Sequence, residues 1–509
     1  MILSRLPVCF RRAISAAPLL WLGLTLPVEA SAETLLVKNA TLITVAPDQP
    51  EPFVGFMLVG ADGRIAVIES GEPPDDLRAE RVLDLEGKIV APGFISAHSH
   101  LFMSPLRGLG HDVTLYGWFQ AWSRLLRHAG AEDMYWFTLH GSIDFLRNGI
   151  TTAYDFTDAG VVQQMSTDPA VSHKPSGMKP GPYNQNQFRA KIDSGIRFID
   201  SLWISDVGTE AEIQARFEGL LKHNESHKGQ PQYLKSAISG GQQFAPTSRT
   251  AEREVEFMRR YGLINQSHFL ESPESVPAQQ AKFDWYDDAG ALGPDMIFGH
   301  FIHTNESILE RVVETGARMS WQPTSNGRLA DGIADIVTYR KLGIPVAVGL
   351  DDQSCTDVAD PFQNLRIGLY TMRGLHKRAD ALSISDMLYL HTLGSAKVLG
   401  IEQDVGSLEK GKFADFLVVD LRDPDTGPIH ETLASYVLAS SLRNLKQVWV
   451  GGRLVADGTQ ILSVDETEVR REIDTRMKRI TEAGEFHAWI GGSSAAELRT
   501  EFALVAGND

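Results

Sequence analysis

Between residues 34 and 85 the chain alternates short apolar runs, at 35–37, 40–43, 56–59 and 65–68, with Asn, Asp, Gly and Pro. Short apolar runs bounded by turn formers read as strands. The same texture returns after Gly411, at 416–419 and 448–455, which predicts one small β-sandwich assembled from both chain ends. Between them, β-branched apolar runs recur near 94–97, 151–154, 196–202, 234–238, 263–265, 296–298, 317–321 and 345–348, each followed by a helix-like segment. Eight such units predict an α/β chain with a (β/α)8 TIM-like barrel, whose active site lies at the C-terminal strand ends. Residues 158–193 differ, being rich in Pro, Gln, Asn, Ser and Gly. They are longer than an ordinary barrel loop and read either as a lid over the substrate or as a mobile surface insertion. Beyond Val464 a polar helix is expected to pack outside. The resulting division is 1–32 signal peptide, 33–90 and 405–464 β-sandwich, 91–404 barrel, and 465–509 helical extension.

The chain has 509 residues, long enough for a large barrel with an accessory domain. Hydrophobic residues make up 43% and charged ones 22%, values of a globular protein. The formal net charge of −17 repels phosphate backbones and anionic lipid headgroups, so neither nucleic acid nor a membrane is an expected partner. Arg5, Arg11 and Arg12, the apolar stretch 16–28 and Ala30-Ser31-Ala32 form a cleavable export signal. That apolar stretch is shorter than the roughly 20 residues of a spanning helix. Cleavage after Ala32 removes those three Arg and Glu29, takes the charge to −19 and sheds Cys9. The expected product is periplasmic or secreted, with Cys355 alone and no internal disulfide. A metal site in such a chain must be built from His and carboxylate.

Candidate ligands fall at the strand ends. His98-Ser99-His100 closes the apolar run 89–95; residues two apart on a strand face the same way, so both imidazoles can reach one ion. His268 ends the next informative strand and Glu271 follows three residues later, beyond the turn into the loop. His300 ends its strand, His303 follows, and Asp351 ends the last one. Three imidazoles and one carboxylate suit one divalent ion, best Zn²⁺, with Fe²⁺ or Mn²⁺ as the other metals compatible with the set. Such an ion lowers the pKa of its water to about 7 and so supplies hydroxide at neutral pH. Glu271 is the expected general base, and His300 orients the nucleophile or stabilises developing charge. Trp118, near the first barrel loop, and Ser325 and Asn326, on the same rim as His303, are candidate substrate contacts.

These stretches resemble the amidohydrolase superfamily, in its cytosine deaminase, S-adenosylhomocysteine deaminase and triazine hydrolase branch. The matching segments are Pro92-Gly93-Phe94-Ile95-Ser96-Ala97-His98-Ser99-His100, Asn148-Gly149-Ile150-Thr151-Thr152, His268-Phe269-Leu270-Glu271, Gly299-His300-Phe301-Ile302-His303, Pro323-Thr324-Ser325-Asn326-Gly327-Arg328-Leu329 and Gly349-Leu350-Asp351-Asp352. The resemblance implies His98, His100, His268 and Asp351 as metal ligands, Glu271 and His300 as proton-handling residues, a small-molecule substrate and a homodimer. Two features depart from the family: no histidine lies in 239–246, and Asp352 stands where glycine is usual. Both bear on the substrate. The leading expectation is hydrolysis of a C–N bond on an amino-heterocycle. An alternative is amide, urea or carbamate hydrolysis at a dinuclear site bridged by a carboxylated Lys235. A ligand-binding barrel without turnover is the minor alternative.

Overall fold

The computed structural model describes residues 34–164, 174–422, 424 and 426–484. The signal segment and residues 485–509 of the helical extension lie outside the described residues. Five strands lead: β1 (Leu35–Leu42), β2 (Phe53–Val59), β3 (Ile65–Ser70), β4 (Arg81–Asp84) and β5 (Ile89–Pro92). Then come β6 (Phe94–Ser99), β7 (Ile150–Phe156), a hairpin of β8 (Val161–Gln164) and β9 (Lys174–Met178), β10 (Arg197–Trp203) and β11 (Tyr233–Gly240). The series continues through β12 (Asn265–Phe269), β13 (Met296–His300), β14 (Arg318–Trp321) and β15 (Val346–Val348) to β16 (Phe416–Val419), β17 (Leu445–Val450), β18 (Arg453–Asp457) and β19 (Gln460–Ile461).

Strands from both chain ends form one nine-stranded sheet in the order β19-β18-β17-β16-β5-β1-β2-β3, with β4 beside β1. Leu417 of β16 faces Ala91 of β5, and this antiparallel pair joins the two ends. Val37, Met57, Phe416 and Trp449 fill its core. The second sheet is parallel, ordered β15-β14-β13-β12-β11-β10-β7-β6. It comes close to closing into a barrel where Asp351 N donates to His98 O at 3.0 Å. Every residue of β6 and β7 is buried, as expected for strands covered on both faces.

The apolar run 89–95 is therefore two strands rather than one. Gly93 N donates to Asp415 O in the outer sheet, whereas Phe94 N donates to Gly149 O in the barrel, each at 3.0 Å. The polar stretch 158–193 also divides. Its first part is the β8–β9 hairpin, but its end enters a barrel helix, Tyr183–Ser194. Lys191 on that helix is fully buried, its ammonium 2.6 Å from Asp155 and 2.5 Å from Asp200, and Gln187 is buried and bonded to the Asp158 backbone. Its polar side chains are internal ties, which is why composition alone suggested a surface segment. The final helix, Glu466–Ala483, packs through Arg476 and Arg479 on Asp133, at 2.8 and 2.6 Å. No helix among the described residues is long and apolar enough to cross a membrane.

Candidate active site

The C-terminal ends of four barrel strands bring the predicted residues into one cluster. His98 Nε2 and His100 Nε2 each lie 3.0 Å from His268 Nε2. The same two nitrogens lie 3.8 and 3.6 Å from Asp351 Oδ1. His300 Nε2 is 3.9 Å from Asp351 Oδ2, and His300 Nδ1 is 3.5 Å from Glu271 Oε1. His98, His300, Glu271 and Asp351 are buried, and His100, His268, Glu271 and Asp351 border a cavity. Three of the turning points are backbone positions that L-residues rarely occupy: Leu270 (φ 53°), His300 (φ 65°) and Asp351 (φ 68°). Strain of this kind, on the order of 1–3 kcal/mol per residue, is held only where the surroundings over-determine it. Two glycines make room for His98. A Cβ on Gly299 would meet its ring at 2.9 Å, and one on Gly349 would meet its Cβ at 2.8 Å.

Electrostatics describe a site built for a cation. Burial, followed by mutual repulsion among the rings, pushes His98 far below the usual imidazole range, and burial does the same to His100 and His300. Burial takes His268 down to about 3. These imidazoles are neutral and offer lone pairs. His98 Nδ1 donates to Gln266 Oε1 at 2.6 Å, which leaves a lone pair on Nε2. One nitrogen of His268 cannot satisfy two imidazole nitrogens, both 3.0 Å away, by hydrogen bonding. Burial raises Glu271 and Asp351 well above the carboxylate range, and neighbouring carboxyls add to the shift. Among the described residues, the only basic side chains within 4 Å of the Glu271 and Asp351 carboxylates are these neutral imidazoles, so neither has a counter-ion. Nitrogen and oxygen ligands held tetrahedrally at zinc-like bond lengths stand about 3.3 Å apart, and the 3.0–3.8 Å separations here bracket that value. The donor set therefore fits a divalent cation, with His98, His100, His268 and Asp351 able to hold it.

The other candidates separate. Trp118 lines the cavity. Ser325 Oγ donates to Asp351 Oδ2 at 2.6 Å and Asn326 Nδ2 to His300 Nδ1 at 2.7 Å, so both touch the cluster instead of the cavity wall. His303 turns away, Nε2 bonding Asp331 O at 2.7 Å. Lys235 is not brought to the cluster: its ammonium lies 3.4 Å from Gly400 O near the strand's other end, pushed down to about 8 by burial and Arg318. Nothing in this geometry supports a lysine bridge. Asp352 accepts from Ser354 N at 2.6 Å and Cys355 N at 3.1 Å, shaping the turn. The histidine-free stretch 239–246 supplies Phe244 to the cavity and Gln243, whose Oε1 receives Leu270 N at 3.1 Å. Two supporting residues escaped the sequence reading. Gln266 orients His98 and also donates to Ala97 O at 2.9 Å; it precedes His268 by two, so strand alternation could have revealed it. Asp331 is fully buried beside Asn326 and repels Glu271, and no local pattern marks it.

The cavity measures about 300 Å³. The profile of the amidohydrolase family matches residues 89–455. A 5-methylthioadenosine/S-adenosylhomocysteine deaminase of Bacillus cereus (strain AH187) is 26% identical over 449 residues, covering 87% of this chain and 98% of that protein. In structure, the chain is similar to an adenosine deaminase from Xanthomonas campestris with bound zinc (TM-score 0.74, 21% identity, 88% of this chain and 98% of that one). It is also similar to an atrazine chlorohydrolase from Arthrobacter aurescens TC1 complexed with zinc (TM-score 0.72, 18% identity, 87% and 100%). The family match spans the barrel strands that carry the histidines and carboxylates and reaches into both halves of the outer sheet, and on that extent the chain belongs to the amidohydrolase family.

Proposed function

We propose that this protein is an exported, mononuclear zinc hydrolase that releases ammonia from an amino-substituted heterocycle. The chain is an amidohydrolase acting on C–N bonds, and its deaminase relatives support a divalent metal and a small-molecule substrate. The observation that supports the reading is that His98 and His100 each lie 3.0 Å from His268 and 3.6–3.8 Å from Asp351, beside a cavity that Glu271 also lines. When bound, the ion supplies a Lewis acid that brings the pKa of water at the site to about 7.

The chain's own residues do the rest. Glu271 Oε2 has no hydrogen-bond partner among the described residues and is free to take a proton from the attacking water. Once it carries that proton, Glu271 can deliver it to the departing nitrogen. Asn326 Nδ2 donates to His300 Nδ1, so the His300 proton sits on Nε2, which is buried and unpartnered. From there it can donate to charge that develops during addition. Ser325 holds the second oxygen of Asp351. Water oxygen adds to the ring carbon, the C–N bond breaks, and ammonia leaves with the proton that passed through Glu271.

The test is ammonia release from a panel of amino-heterocycles, amino-triazines, amides, ureas and carbamates by zinc-loaded and chelator-stripped protein. Turnover of an amino-heterocycle, loss on stripping, and a drop in kcat of roughly 10²–10⁴ for Glu271→Gln are expected. Amine release from amides or ureas alone overturns the deaminase reading. Two metal ions per chain overturn the mononuclear one. Export predicts a mature N-terminus at Glu33 in the periplasmic or secreted fraction; a chain retained whole in the cytoplasm refutes it.

A further inference from the structure

The walls of the cavity say what the substrate carries besides its amine. The helix Leu115–Leu126 contributes Trp118, Phe119 and Trp122, the turn after β11 contributes Phe244, and the ends of β7 and β10 contribute Phe156 and Trp203. Trp118 and Trp122 lie 5.8 Å apart at 63°, Phe119 and Trp122 5.9 Å apart at 88°, and Phe119 and Phe244 5.5 Å apart at 72°. This edge-to-face cluster is the environment that aromatic rings favour.

Several of the polar groups around it are already engaged, while Arg127 stands at the exposed edge of the lining. Lys179 Nζ donates to Leu126 O at 2.7 Å and Ala129 O at 3.3 Å. Asp158 Oδ1 accepts from Gly160 N at 2.5 Å. Thr157 Oγ1 donates to Ser201 O at 2.8 Å and accepts from Asn184 Nδ2 at 2.7 Å. The indole nitrogens of Trp118 and Trp122, by contrast, are buried and have no partner among the described residues. A buried donor left without an acceptor costs on the order of 1–3 kcal/mol. A sugar placed against these aromatic faces sets its hydroxyls against carbon, where they lose their bonds to water.

Building on the deaminase reading of this same site, we propose that the substrate is an uncharged amino-heterocycle bearing a planar aromatic substituent. That substituent lies among Trp118, Phe119, Trp122 and Phe244, and an acceptor oxygen or nitrogen on it receives an indole N–H. The substituent is a binding handle only; the bonds that break and form are those at the amine-bearing carbon, with water as co-reactant and ammonia as the leaving group.

Binding is measured by calorimetry on zinc-loaded Glu271→Gln protein, so that turnover does not interfere. The probes are paired: 9-benzyladenine against adenosine, and 1-benzylcytosine against cytidine. At least roughly tenfold tighter binding of the benzyl member in one pair is expected from the apolar area it buries. Equal or tighter binding of both sugar members, or binding by none of the four, overturns the proposal. A second comparison replaces benzyl by 4-methoxybenzyl or 4-ethylbenzyl on the better ring. Trp118→Phe or Trp122→Phe should weaken the methoxy ligand by about tenfold, the worth of one hydrogen bond, and the ethyl ligand far less; equal losses refute the indole contact. Ammonia release by the unmutated protein is scored separately. Tight benzyl binding without ammonia would sink the deaminase reading and leave the pocket assignment standing, whereas ammonia from the sugar members with weak benzyl binding does the reverse.

Discussion

At the scale of single residues, the cluster depends on side chains that never touch substrate. Gln266 holds the proton of His98 on Nδ1 and is itself fixed by Ala97 O. Supporting bonds of this kind typically carry about 10–100-fold in metal affinity. Gln266→Leu, close in volume, should weaken zinc binding by that factor in competition with a colorimetric chelator; unchanged affinity shows that packing alone sets the ring. Gly349 marks the same dependence, because a Cβ there would press on both the side chain and the backbone of His98. His98 and His100 were legible because strand alternation is local geometry. Alternation also puts Gln266 on the same face as His268, but its pairing with His98 depends on two strands distant in sequence.

At the scale of elements, buried polar side chains tie helices to barrel strands. Lys191 carries its ammonium from its helix to Asp155 on β7 and Asp200 on β10. Lys191→Met leaves both carboxylates without a counter-ion and should cost about 3–5 kcal/mol, read from urea midpoints. Adding Asp155→Asn and Asp200→Asn should recover part of the loss, and no recovery would indicate that packing, not charge, is responsible. Glu254, on the helix Arg249–Tyr261, accepts from Gly241 N, Asn265 Nδ2 and Tyr286 OH at 2.8, 2.8 and 2.6 Å. Burial, partly offset by those donors, pushes its carboxyl up to about 7. A carboxyl whose proton affinity rises on folding stabilises the protonated protein. Its contribution is complete below the unfolded value near 4.5 and is lost as pH rises through about 7. Relative to Glu254→Gln, the unmutated protein should lose on the order of 3 kcal/mol between pH 5 and pH 8, measured by denaturant unfolding at each pH; parallel curves for the two proteins count against it. Neither helix contact was visible beforehand, because charged residues on a helix read as a solvated face until tertiary packing supplies their partners.

At the scale of the whole molecule, the outer sheet and the barrel share a buried ion pair. Arg197, at the start of β10, places Nε 2.6 Å and Nη2 3.0 Å from the two oxygens of Asp415, and its guanidinium lies 3.6 Å from the centre of the Phe413 ring. Asp415 also accepts Gly451 N at 2.7 Å. Lysine keeps the charge but not the planar fork or the stacking, so Arg197→Lys should lower the thermal midpoint by several degrees; an unchanged midpoint means that the sheet is held by its apolar core alone. The sequence by itself determined the eight-strand rhythm, the use of both chain ends in one β-domain, and the histidine and carboxylate positions at the strand ends. Each of these follows from period-two alternation and from the burial that parallel strands require. Tertiary structure alone decided that the run 89–95 splits between two sheets. It alone placed Asp331 beside Glu271 and made an aromatic cavity from the helix of Trp118 and the turn of Phe244. Those outcomes depend on which distant segments meet, and the local pattern of apolar and polar residues carries no information about that pairing.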